Sequence, residues 1–193
     1  MSGRKHARVG LAVAVAVVAA AVAVPAFAAT TPRTVTETTV GGAKFVPNRM
    51  FADTMHFKKG TIAIKSGGTL NINDKTGQVH TFSLVKKSQV PRNAKQADNC
   101  FGPGVCDEIA MAHGAVNPDT GEEQEPTTPL VDVGKAGFNQ PGDSVVLPPA
   151  GGASAAKARA SKTSLKITAP KGKTLYFICA IHPWMQGKVQ VAR

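Results

Sequence analysis

Apolar or β-branched residues alternate with polar ones along most of this chain, and Gly, Pro or Asn interrupts the alternation at intervals too short for helices. Such runs fall at Arg33–Val40, Gly60–Lys65, Thr69–Asn73, Val79–Val85, Asp143–Leu147, Ser164–Thr168, Thr174–Cys179 and Gly187–Val191. Each has the length of a strand with one face toward a core. No long helical period competes, so the pattern predicts an all-β sandwich. The punctuation agrees: KSGGT leads into Thr69 and NDKTGQ into His80, each with residues that tolerate tight-turn backbone angles.

Two stretches break the pattern. Lys86 to Gln140 is rich in Gly, Pro and Asn and holds Cys100 and Cys106, which marks residues 87–141 as an insert in the sandwich. A helical turn is expected within it over Asp107–His113, with Asp107 as N-cap. Pro148–Lys162 is an Ala/Gly/Ser stretch that reads as a flexible loop.

The N-terminus belongs to neither pattern. Arg4, Lys5 and Arg8 precede an apolar, Ala/Val-rich stretch from Val9 to Val24, followed by Pro25 and the small-residue site Ala26-Phe27-Ala28. Residues 1–28 therefore read as a secretory signal peptide cut after Ala28, with an uncleaved anchor as the alternative. Residues 29–193 are expected to form one exported domain, periplasmic, in the cell envelope or extracellular, with no stable membrane span. From Ala29 onward there are 20 Lys and Arg against 12 Asp and Glu. The charge is uneven. Between Lys86 and Gln140 there are five basic and eight acidic residues, leaving fifteen basic and four acidic for the rest. Export argues against nucleic acid as a partner of this basic body. An acidic redox partner or an anionic envelope surface fits it better, and a merely solvated surface fits equally well.

Near the C-terminus the chain reads LYFICAIHPWMQGKVQV, which puts Cys179, His182 and Met185 within seven residues. A thiolate, an imidazole and a thioether at this spacing are what a trigonal copper site with a weak axial sulfur needs, given one more histidine. His80 in GQVHTFSLV, at the start of another strand, is the best candidate. His56 in MHFKKG is a conceivable substitute, placed on an exposed strand edge, and His113 is expected to be a surface or insert histidine. The ligand loop joins two strands that fix its ends. Burial among Phe82, Phe177, Ile181 and Trp184 is expected to keep water from the metal.

With these residues the chain resembles the cupredoxins, the small blue copper proteins of the plastocyanin, azurin and amicyanin kind. CAIHPWM has the short CxxHxxM spacing found in that family. The resemblance implies a Greek-key β-sandwich and one type 1 copper held by His80, Cys179, His182 and Met185. It also implies an electron port at His182, reaching the surface through an apolar patch with Ile181, Pro183 and Trp184. Two features depart from the family. Thr81 stands where many members have an Asn or Ser that braces the ligand loop, and the insert lengthens the separation between His80 and Cys179.

Three cysteines in an exported chain leave one odd thiol. Pairing Cys100 with Cys106 releases Cys179 for metal, while a second metal site from Cys100, Cys106 and His113 is the alternative. The leading expectation is a monomeric one-electron carrier that works with redox protein partners and is not an enzyme. A copper-binding or copper-delivery protein without redox turnover is the second reading, and a metal-free interaction sandwich the third. From Ala29 onward, the two histidines that remain, His56 and His113, are too few for the clusters of a multicopper oxidase.

Overall fold

A computed structural model describes residues 31–150 and 161–193. The expected signal peptide and most of the Ala/Gly/Ser loop lie outside the described residues. Twelve strands are present among those described: β1 (Thr34–Val40), β2 (Ala43–Val46), β3 (Met50–Asp53), β4 (His56–Phe57), β5 (Thr61–Ile64), β6 (Gly68–Asp74), β7 (His80–Val85), β8 (Leu130–Val131), β9 (Ser144–Leu147), β10 (Ser161–Ile167), β11 (Thr174–Ile178) and β12 (Gln186–Val191). Two short helices, α1 (Ala94–Asp98) and α2 (Val105–Ala112), lie between β7 and β8.

The strands form two main sheets, ordered β10-β6-β1-β4 and β5-β12-β11-β7-β9-β8, plus the hairpin β2-β3. Most neighbours are antiparallel, but β1 runs parallel to β6 and β12 parallel to β5. Most strands of the two main sheets turn alternate residues inward, as the pleat requires. Val35, Leu70, Ile72, Leu165 and Ile167 from one sheet therefore meet Ile62, Ile64, Leu84, Leu175 and Val189 from the other. At the centre, Phe82 stacks on Phe177 with centroids 4.4 Å apart, and Phe57 meets Phe177 edge-on at 5.0 Å. Each such buried ring stabilises the sandwich by about 1.5–3 kcal/mol.

β7 departs from the usual one-sided strand because all six of its residues are buried. Phe82 and Leu84 face the sandwich core, while Val85 joins a second cluster with Ile178, Ala180, Ile109 and the cysteines of the insert. The insert thus lies against the outer face of the six-stranded sheet. Cys100 and Cys106 form a disulfide at its centre. Gly104 is the N-cap of α2, where a Cβ would stand 2.4 Å from the carbonyl oxygens of Asn99 and Cys100. The helix starts there and not at Asp107, because the short disulfide loop sets its first turn. Asp107 and Glu108 fall inside that turn, where carboxylates suit the helix dipole.

Candidate metal centre

His80 opens β7, Cys179 follows the last residue of β11, and His182 lies in the loop that leads to β12. Because β11 pairs with β7, the two strands carry Cys179 and His80 to the same end of the sheet. The loop closes on itself, since the Cys179 amide donates to the Met185 carbonyl at 2.8 Å and the Met185 amide to the His182 carbonyl at 2.7 Å. Gly187 lets the strand after the loop pack closely, because a Cβ there would stand 2.4 Å from the Gly60 carbonyl oxygen and 2.5 Å from the Phe177 ring.

The three donors converge. Cys179 Sγ is 3.8 Å from His80 Nδ1 and 3.7 Å from His182 Nδ1, and the two nitrogens are 3.1 Å apart. A circle through these atoms has a radius of about 2.1 Å, the length of a bond from imidazole or thiolate to a small divalent metal (~2.0–2.3 Å). One ion at its centre would touch all three at once. Cys179 and His80 are fully buried and His182 nearly so. His80, Cys179 and His182 therefore form a group that can hold one copper ion. Met185 is also fully buried and shares the core cluster with Cys179.

Burial sets the protonation of these groups. It lowers the pKa of His80, partly opposed by the Asp74 carboxylate, and it lowers that of His182. Both rings are thereby kept neutral with lone pairs to offer. The Cys179 thiol is pushed up by burial, against backbone N–H groups of Thr81, His182 and Ile181 that favour the thiolate. A cation at the centre would overcome that burial effect.

Thr81 braces the loop in the place where Asn or Ser was the comparison. Its amide donates to Cys179 Sγ at 3.3 Å and its Oγ1 accepts from the Ala180 amide at 2.8 Å. His80 is held from behind by two residues that the turn-forming reading of NDKTGQ passed over. Its Nε2 is 2.5 Å from Thr76 Oγ1, and Thr76 donates to Asp74 Oδ1 at 2.9 Å. With the Nε2 proton directed at Thr76, Nδ1 is free to face the other donors. A carboxylate or hydroxyl behind a histidine is the usual means of fixing such a tautomer. An Asp-x-Thr just ahead of the histidine was the available signal.

His113 lies in the insert, one of the two placements expected for it, while the expected burial of Ile181 and Trp184 needs correction. His113 is not at the surface: it is buried, because α2 and the segment before β8 close over it. Both its ring nitrogens are engaged by Thr128 and Ser144, and Cys100 and Cys106 are bonded to each other. Ile181 and Trp184 do not seal the site, since both are exposed and only Phe82 and Phe177 are buried. Instead they flank the buried His182 and Pro183, with the Trp184 ring edge-on to His182 at 5.3 Å. Phe101 of the insert, also exposed, lines clefts together with each of them. His56 is exposed on β4, outside the group of three donors.

A β-sandwich with a buried His-Cys-His group at one end of its sheet defines a candidate mononuclear copper protein. No protein-family model and no curated protein matches the chain. The solved structures that resemble it include cupredoxins. Auracyanin from the photosynthetic bacterium Roseiflexus castenholzii is 14% identical, over 84% of this chain and 99% of that one, with a TM-score of 0.41. Auracyanin A, a blue copper protein from Chloroflexus aurantiacus, is 18% identical over 82% and 97%, with a TM-score of 0.38. Rusticyanin from Thiobacillus ferrooxidans is 18% identical over 83% and 79%, with a TM-score of 0.34.

Proposed function

We propose that this protein is an exported type 1 copper protein and carries single electrons between redox partners. The observation that supports this most is the buried triangle of His80 Nδ1, His182 Nδ1 and Cys179 Sγ, sized for one ion. Met185, fully buried in the same cluster as Cys179, would supply a fourth, thioether donor. When bound, copper supplies a one-electron couple between its two common oxidation states. The chain's own part is to hold the donors so that little rearrangement accompanies the change. β7 and β11 fix His80 and Cys179, Thr76 fixes the His80 tautomer, and Thr81 fixes the loop. Burial of all three donors favours a resident ion over an exchangeable one, and so favours electron transfer over copper delivery.

Electrons pass at His182, the ligand nearest the surface. Ile181, Trp184 and Phe101 surround it with exposed apolar area suited to brief contacts. The basic body of the domain favours acidic partners. Adding Cu(II) to the purified protein is expected to give an intense blue thiolate-to-copper absorption, and Cys179→Ser to abolish it while the sandwich remains folded. Blue colour retained in that variant would sink the assignment.

A further inference from the structure

The outer face of β7 carries Thr81, Ser83 and Val85, which an uncovered sheet would turn to water; here the insert covers them. A buried hydroxyl left alone costs about 1–3 kcal/mol, so each needs a partner. The partners form a line that starts in the insert. His113, the C-cap of α2, is buried with its Nδ1 2.6 Å from the Thr128 carbonyl oxygen. A carbonyl only accepts, so Nδ1 carries the proton. Burial lowers the pKa of the ring and keeps it neutral, which leaves Nε2 as an acceptor. Ser144 Oγ lies 2.7 Å from that nitrogen and 2.6 Å from Ser83 Oγ. Ser83 Oγ in turn donates to Thr81 Oγ1 at 2.9 Å, so the single Ser144 proton is shared between His113 Nε2 and Ser83 Oγ, and His113 competes for it. Thr81 Oγ1 accepts the Ala180 amide at 2.8 Å, and the Thr81 amide donates to Cys179 Sγ at 3.3 Å.

We propose that His113 is a positioning residue for the metal loop: held in the insert, it fixes Thr81 through Ser144 and Ser83, and so sets the hydrogen bonding of the Cys179 thiolate. The insert then acts on the metal centre without contributing a ligand. A hydrogen bond onto the thiolate draws charge from it and favours the reduced metal; loosening the bond favours the oxidised one. Lowering of the midpoint potential is therefore the expected result of breaking the line. The inference rests on the copper reading only for that last step, because the line of hydrogen bonds exists without metal.

Two variants and one control test it. Ser144→Ala cuts the line while His113 keeps its bond to Thr128. His113→Phe removes its far end, and His113→Gln retains an acceptor for Ser144 and a donor for Thr128. In the copper-free protein, Ser144→Ala and His113→Phe are expected to shift the amide proton resonances of Thr81 and Ala180, and His113→Gln to restore them. In the copper-loaded protein the same two variants are expected to lower the midpoint potential and move the thiolate absorption band. A folded Ser144→Ala protein with both amides unmoved overturns the proposal, whatever becomes of the His113 variants. Shifted amides with an unchanged potential and band overturn the step from Thr81 to the thiolate. If the parent protein gives no blue band, the copper reading fails, while the amide shifts still decide whether His113 positions the loop.

Discussion

His80 reaches the site with its proton already placed, since its Nε2 meets Thr76 and Thr76 meets the Asp74 carboxylate. Thr76→Val keeps the side-chain shape and removes the hydroxyl. It is expected to weaken copper retention about 10–100-fold, as loss of a group behind a ligand does, measured by competition with a chelator. Retention equal to that of the parent protein would mean that the strand alone orients the ring. At the other side, Met185 is fully buried next to the loop. Met185→Leu is expected to keep the ion and its colour but to change the midpoint potential, because an axial thioether tunes more than it holds. Complete loss of copper on that change would show Met185 to be an indispensable ligand.

The insert is the element that most alters the picture drawn from the sequence. Its disulfide packs in one cluster with Ile178 and Ala180, the residues on either side of Cys179. Replacing Cys100 and Cys106 with serine is expected to cost about 2 kcal/mol by the chain-entropy estimate. Hydrogen exchange should then quicken in α1 and α2 while β6 and β11 stay protected; uniform quickening would show that the disulfide supports the whole sandwich. The eight strands expected from the alternation are present with ends moved by a few residues, because most of them, β7 excepted, bury one face and so carry a period. β2 and β3 escaped notice because Phe45 and Met50 are exposed and give the hairpin no such period. Thr81 and Ser83 are the opposite case. Alternation makes them solvent-facing, and only a covering layer remote in sequence buries them. His113 was unreadable for the same reason, since its partners Thr128 and Ser144 are 15 and 31 residues away. The ligand loop was legible because its chemistry sits in seven consecutive residues, whereas Asp74 and Thr76 look like ordinary turn residues until the fold sets them behind His80.

For the molecule as a whole, a buried neutral histidine couples stability to acidity. The folded His113 has its pKa lowered by burial, so below the ordinary histidine value, about 6.5, the unfolded chain takes up a proton that the folded one resists. Stability is then complete above that value and is lost as pH falls through it toward the folded value. In the copper-loaded protein, His113→Gln is expected to flatten the fall in melting temperature between about pH 7 and pH 5. An unchanged slope would place the acid sensitivity elsewhere. The wide separation of the ligands along the chain has another consequence, for the order of events during synthesis. His80 and Cys179 are 99 residues apart, and the strand that closes the loop, β12, must pair with both β11 and β5. Contacts between such distant segments form late. In an exported chain, the four candidate ligands would all emerge before β12, but His80 and the ligand loop would not be gathered into one site until β12 had paired. Copper capture by an exported chain would thereby be deferred to the compartment in which folding finishes, and metal supply there, more than where the protein is made, would govern how much of it carries the ion.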